Sequence, residues 1–353
     1  MSTLDPHRRY SVLAGLSGRC AVRFTLAVRF TLAVLLALAG VLMPPWAVAP
    51  SAVAAGPVFI SVGLRPLGVA VTPDGRHVYV TDSALSRVFV VDTATGKAVG
   101  RVHVGSSPSG VAVTPDGRRV YVTSAGSDEV SVIDTATDEV VASVHVGDFP
   151  FGVAVTPDGR RVYVTNAGSD EVSVIDTTRN EVVGSPLRVG STPVDVAVAP
   201  DGHHAYVTNA GFGSPTPVSV IDTSTGVVVG LPVSVGNFPF AVAVTPDGHH
   251  AYVSDRVGTV SVIDTGTGKV TGAPIPVGLE PDDVAVSPDG RRAYVTSVQP
   301  GKVSVIDTST GKVTGTALSL DMGVSVDRVA VSPDGHHAYV TVSSGGVLAV
   351  LDL

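Results

Sequence analysis

Gly152-Val-Ala-Val-Thr-Pro-Asp-Gly-Arg-Arg-Val-Tyr-Val-Thr-Asn166 decides the fold. It reads as strand, turn, strand: small apolar residues, then Pro-Asp-Gly, then β-branched and aromatic residues. Outward from this stretch the same phrase recurs. Pro-Asp-Gly begins at Pro73, Pro115, Pro157, Pro200, Pro246, Pro288 and Pro333, at spacings of 42, 42, 43, 46, 42 and 45 residues. A period of about 40–45 residues with several short strands per unit predicts a β-propeller. The expected fold is all-β: seven blades, each a four-stranded antiparallel sheet.

Residue size orders the strands within a blade. The Val-Ala-Val segment is narrow enough to crowd around a central axis, so it is placed innermost. Val172-Ser-Val-Ile-Asp176 is the third strand and Glu181 to Val189 the fourth. The fourth strands carry Pro186, Pro232, Pro274 and Pro276. Proline cannot donate to a ladder, so the fourth strand belongs at the outer edge, where it also blocks edge-to-edge pairing. The last repeat stops at its third strand, Val347 to Leu353, while Pro57-Val-Phe-Ile-Ser-Val62 matches only a fourth strand. The N-terminal strand is therefore expected to complete the last blade and close the ring.

The chain has 353 residues, 44% hydrophobic and 15% charged, too apolar for disorder. Residues 1–55 read as a signal peptide or N-terminal membrane leader. Five arginines precede a 14-residue apolar run, Phe30 to Met43, followed by Ala47-Val-Ala49 and Val53-Ala-Ala55 as cleavage candidates. Residues 56–353 form the propeller, and Cys20, the one cysteine, lies outside it. Without the leader, 18 basic residues face 30 acidic ones, a net charge near −12. That charge repels phosphate backbones and argues against nucleic-acid binding. The expected location is extracellular or at the cell surface, with membrane contact only through an uncleaved leader, and the expected state is a monomer.

The phrases Gly-Val-Ala-Val-Thr-Pro-Asp-Gly, Tyr-Val-Thr-Asn and Val-Ile-Asp-Thr resemble the YVTN β-propeller repeat family, typified by surface-layer and exported proteins. The resemblance covers about residues 57–353. Tyr-Val-Thr-Asn is literal only at Tyr163–Asn166 and Tyr206–Asn209. The last repeat departs further, with Asp321 to Arg328 in place of Val-Gly-x-x-Pro. The resemblance implies a seven-bladed propeller outside the cytoplasm and brings no shared catalytic residues.

Several patterns invite chemical readings that their placement weakens. His203-His204, His249-His250 and His336-His337 follow turns in separate blades, where Arg118-Arg119, Arg160-Arg161 and Arg291-Arg292 stand in other copies. A zinc site needs about four ligands converging on one point. The aspartates Asp92, Asp134, Asp176, Asp222, Asp264 and Asp307, with Asp352 in the final copy, recur once per blade, and those before a tight turn point to backbone capping. Ser309-Thr-Gly-Lys312 sits in a hairpin turn and is a false match to an acyl-transfer motif. No catalytic residue, metal or cofactor is assigned.

Function in such a ring is expected where the copies differ. The fourth-to-first strand connections place Arg65, Asp195, Asp282, Asp283, Asp327 and Arg328 near the channel mouth. Phe149, Phe212 and Phe238 are expected on the same face, while Phe151 and Phe240 are expected to plug between blades. The leading reading is a binding or scaffolding protein presenting this face to a protein or glycan. The alternative is a metal-dependent propeller lactonase or lyase at the channel mouth. That alternative requires three or more of the aspartates within reach of one hard cation.

Overall fold

A computed structural model describes residues 56–211, 217–320 and 323–353; the leader, residues 1–55, lies outside them. Seven antiparallel sheets form the ring; six are built in sequence order from the axis outward, and the last takes its outer strand from the N-terminal end. Blade one runs Pro66–Val71, His77–Asp82, Arg87–Asp92 and Lys97–His103. First strands of neighbouring blades pack side by side around the axis. The fold is the expected seven-bladed β-propeller, with the small Val-Ala-Val strands innermost.

The turns explain why Pro-Asp-Gly recurs. Gly75 takes φ +72°, a conformation costly for other residues, and its N–H reaches the Thr72 carbonyl at 2.8 Å. The Asp74 carboxylate accepts from the Thr72 hydroxyl at 2.6 Å and from the Arg76 N–H at 3.0 Å. Proline sets one dihedral, aspartate caps the turn and glycine supplies the left-handed corner.

The core lies between blades. Tyr121, Val130, Val132 and Val144 of blade two pack with Val162, Val164 and Ile175 of blade three. The tyrosine hydroxyls reach the next blade: Tyr79 donates to Asp138 and Tyr121 to Asn180, both at 3.0 Å. Burial pushes the Tyr121 phenol up to about 12.

A second inter-blade device runs through the threonine of Tyr-Val-Thr. The Thr123 hydroxyl accepts the Gly110 N–H of its own blade at 2.8 Å and donates to the Phe151 carbonyl of the next at 2.7 Å. Thr81, Thr165, Thr208 and Thr296 repeat the pattern. Thr341 donates to Leu67 at 2.7 Å and so ties blade seven to blade one. The approach leaves no room for a side chain in the early blades. A Cβ on Gly110 would lie 2.4 Å from the Phe151 carbonyl oxygen.

Closure follows the expected route. Val58–Ser61 pairs antiparallel with Val347–Asp352 as the outer strand of blade seven. Ile60 and Val62 are buried among Val78, Val80 and Phe89 of blade one and Tyr339 and Leu348 of blade seven. One expectation needs correction. The fourth strand of blade three is not continuous over 181–189 but split into Glu181–Val182 and Leu187–Arg188, both paired with Glu171–Asp176. Gly184 at φ +73° and Pro186, which has no N–H, break the ladder between them.

Two changes test this account in thermal and denaturant unfolding. Thr165→Val leaves the buried Gly152 N–H and Val194 C=O without their partner and is expected to cost roughly 2–4 kcal/mol. Deleting residues 57–62 removes the burial of Ile60 and Val62, about 3–6 kcal/mol, and opens the ring. A truncation that unfolds at the same temperature as the parent overturns the closure.

Candidate functional site

The six threonine clasps, and Ser254 in blade five, define seven equivalent positions whose N–H each donates to that hydroxyl. They are Gly68, Gly110, Gly152, Asp195, Ala241, Asp283 and Arg328. Six of them, all but Ala241, line one cavity of about 120 Å³ inside the channel. Glycines on blades one to three leave the space, and charged side chains from blades four, six and seven enter it.

Arg328 is the centre of that group, with its side chain 16% exposed. Its Nη1 lies 3.4 Å from Asp283 Oδ1 and its Nε 3.9 Å from Asp282 Oδ2. Its guanidinium also lies 5.5 Å from the Phe151 ring and 5.4 Å from the Phe240 ring. Asp283 Oδ2 accepts the Val329 N–H at 2.9 Å, and Asp195 Oδ2 accepts the Val242 N–H at 3.0 Å. Asp282 pairs on its other side with Arg256, whose guanidinium stacks 3.8 Å from the Phe240 ring centre. Asp327 turns away, with its Oδ2 accepting the Ser343 N–H at 3.0 Å.

Four carboxylates here face two guanidinium groups, so charge is not balanced within the site. Burial pushes Asp283 up to about 7, with Arg328 opposing the shift and Asp195 adding to it. Burial raises Asp195 as well. Burial and the neighbouring Asp282 carry Asp327 up to about 6. Burial disfavours the Arg328 charge, but Asp283, Asp282 and Asp195 outweigh it and hold the guanidinium charged.

The structure brings Asp195, Asp282, Asp283 and Arg328 together as the sequence suggested. Arg65 is exposed and engages through its backbone, its carbonyl accepting the Ser83 N–H at 3.1 Å. Phe149 is exposed and held at φ +55°, its N–H donating to Asp128 Oδ1 at 2.9 Å. Phe238 is half-buried at φ +56°. Phe212 lies outside the described residues.

Phe151 and Phe240 do not plug between neighbouring blades. Their rings, from blades three and five, meet edge-on at 6.0 Å with blade four between their strands. Phe151 lines the channel cavity itself, and both rings flank the Arg328 guanidinium. The sequence reading missed Arg256. Its signal was local: it is the single arginine directly after a second strand, in Tyr252-Val-Ser-Asp-Arg256.

Among the described residues no three His, Cys, Asp or Glu side chains converge as a metal site. The channel donor set does not fit a divalent ion, because Arg328 sits among the carboxylates that would have to bind it. A depression of about 1010 Å³ lies on the opposite face, between blades two and three. Turn residues line it, and their carboxylates are engaged: Asp116 with Thr114 and the Arg118 N–H, Asp134 with Arg119.

Comparison with known proteins supports a propeller family. The family described as lactonase, seven-bladed β-propeller, matches residues 77–182. The family described as YNCE-like β-propeller matches residues 160–331. Among solved structures, hydrazine synthase of Kuenenia stuttgartiensis is similar at a TM-score of 0.76 and 26% identity. The match covers 82% of this chain and 96% of that one. No curated protein matches the sequence.

The raised carboxylates set a pH dependence. The folded state keeps protons on Asp283, Asp327 and Asp195 that the unfolded chain releases above about pH 4. Their contribution to stability is therefore complete below about pH 4 and is lost as pH rises through 6 to 7. The turn aspartates, held low by side-chain and backbone hydrogen bonds, act in the opposite sense in acid. The melting temperature is expected to fall between about pH 5 and pH 8. Asp283→Asn is expected to flatten that fall and to raise the melting temperature at the alkaline end. An unchanged slope in the variant contradicts the assignment.

Proposed function

We propose that this protein is an exported binding or scaffolding protein of the YVTN surface-layer type, presenting its channel-mouth face to a protein or glycan. One observation carries the reading: the chain fills its own channel mouth and leaves an apolar rim uncovered. Arg328, Arg256, Phe151 and Phe240 occupy the mouth, and about 120 Å³ remains inside. Small-molecule sites usually enclose about 300–1000 Å³. Around the mouth, Leu64 is 66% exposed, Phe149 40%, Val257 56% and Leu279 61%. Apolar and aromatic side chains with arginine are what macromolecular interfaces favour. The basic leader with its 14-residue apolar run supports export.

A lactonase-type enzyme is the second reading, favoured by the family match over residues 77–182. That match ends before Asp195, so none of the charged channel residues falls within it.

The two readings part in one experiment. Immobilised residues 56–353 are used to retain partners from envelope extracts, with variants on each face. Phe149→Ser with Leu279→Ser is expected to abolish specific retention, while Arg160→Ala with His203→Ala on the opposite face leaves it intact. Retention that survives the mouth variant, or turnover of a lactone panel that Asp283→Asn removes, overturns the binding reading.

A further inference from the structure

We propose that the Arg328 guanidinium is a built-in counter-cation, occupying the place among the channel carboxylates that a bound metal ion would take. This role is independent of what binds the rim. Asp195, Asp282 and Asp283 reach the channel from blades four and six, and Arg328 reaches it from blade seven. Backbone N–H groups of Val242 and Val329 hold Asp195 and Asp283 by one oxygen each. Carboxylates gathered in this way need a positive charge in their midst. The chain supplies it covalently.

The surroundings suit a guanidinium better than a hard cation. A calcium ion takes six to eight oxygens at about 2.3–2.6 Å and keeps a compact shell. Here the cationic atoms lie 3.4 and 3.9 Å from carboxylate oxygens, and two aromatic rings lie 5.4 and 5.5 Å from the guanidinium carbon. Guanidinium is planar and weakly hydrated, so it tolerates aromatic neighbours while donating to several carboxylates at once. The equivalent positions in blades one to three are glycine, which leaves room for the long side chain. No three carboxylates lie close enough to hold an ion as they stand among the described residues, so an ion enters only where the carboxylates close into the space that a shortened side chain leaves.

Residues 56–353, whose ring closes on itself, serve for the test. Wild type and Arg328→Met are compared by thermal unfolding at neutral pH, with and without millimolar calcium or magnesium chloride. Wild type is expected to show no saturable response to either ion. Arg328→Met is expected to melt roughly 5–10 °C lower, because Asp195 and Asp283 lose their nearest positive charge and Asp282 keeps only Arg256, and to regain most of that loss with calcium. The variant Arg328→Met, Asp195→Asn, Asp283→Asn is expected to fold without added ion and to ignore calcium. It decides the matter should the single variant fail to fold. Stoichiometric calcium or magnesium in the purified wild-type protein overturns the proposal. So does an Arg328→Met protein indifferent to both ions, or a triple variant as unstable as the single one.

Discussion

The ring depends on one hydroxyl per blade. The threonine that ends Tyr-Val-Thr accepts an N–H from its own inner strand and donates to the inner strand of the next blade. Inner strands around an axis cannot form a continuous ladder with one another, because their sheets stand side by side rather than edge to edge. Their facing backbone groups are buried, and each one left unpaired costs about 1–3 kcal/mol. A short side chain with both a donor and an acceptor meets that need in a space too narrow for a longer one. Thr341 does so across the join between the last blade and the first, where residues 274 positions apart in sequence meet.

That repeated clasp also sets the site. Because it holds the inner strand in the same way from blade to blade, the residue donating to the hydroxyl lines the channel cavity in every blade but the fifth. Where that residue is glycine, the strand approaches its neighbour closely; a Cβ on Gly68 would lie 2.2 Å from the Ser109 carbonyl oxygen. Where it is Asp195, Asp283 or Arg328, charge is delivered to the axis. A nearly symmetric scaffold thus carries an asymmetric interior, neutral over blades one to three and ionic over blades four, six and seven. Aromatic rings from blades three and five flank the guanidinium and add a cation–π contact to its ion pairs.

The opposite face shows the contrast. There the repeats stay close to one another, and polar side chains are spent on turn geometry: Thr72, Asp74 and their counterparts bond within five residues. The aspartate of Val-Ile-Asp does the same, Asp92 accepting the Thr95 N–H at 2.7 Å and its hydroxyl at 2.6 Å. These residues recur because the turn requires them.

The repeat by itself determined the blade count, the strand order and the closure by residues near 57–62. Each rests on local chemistry that sequence displays: turn residues, strand-forming residues, and proline at the edge. It also marked Asp195, Asp282, Asp283 and Arg328, since they break the pattern of their siblings. Only the tertiary structure decided that these four converge, that Arg256 joins them, and that Phe151 and Phe240 meet across the mouth instead of separating blades. The reason is distance along the chain. Asp195 and Arg328 are 133 residues apart, and their meeting depends on how far each side chain reaches across a channel whose width is set by all seven blades together. Strand propensity is written residue by residue, but convergence on an axis is a property of the closed ring.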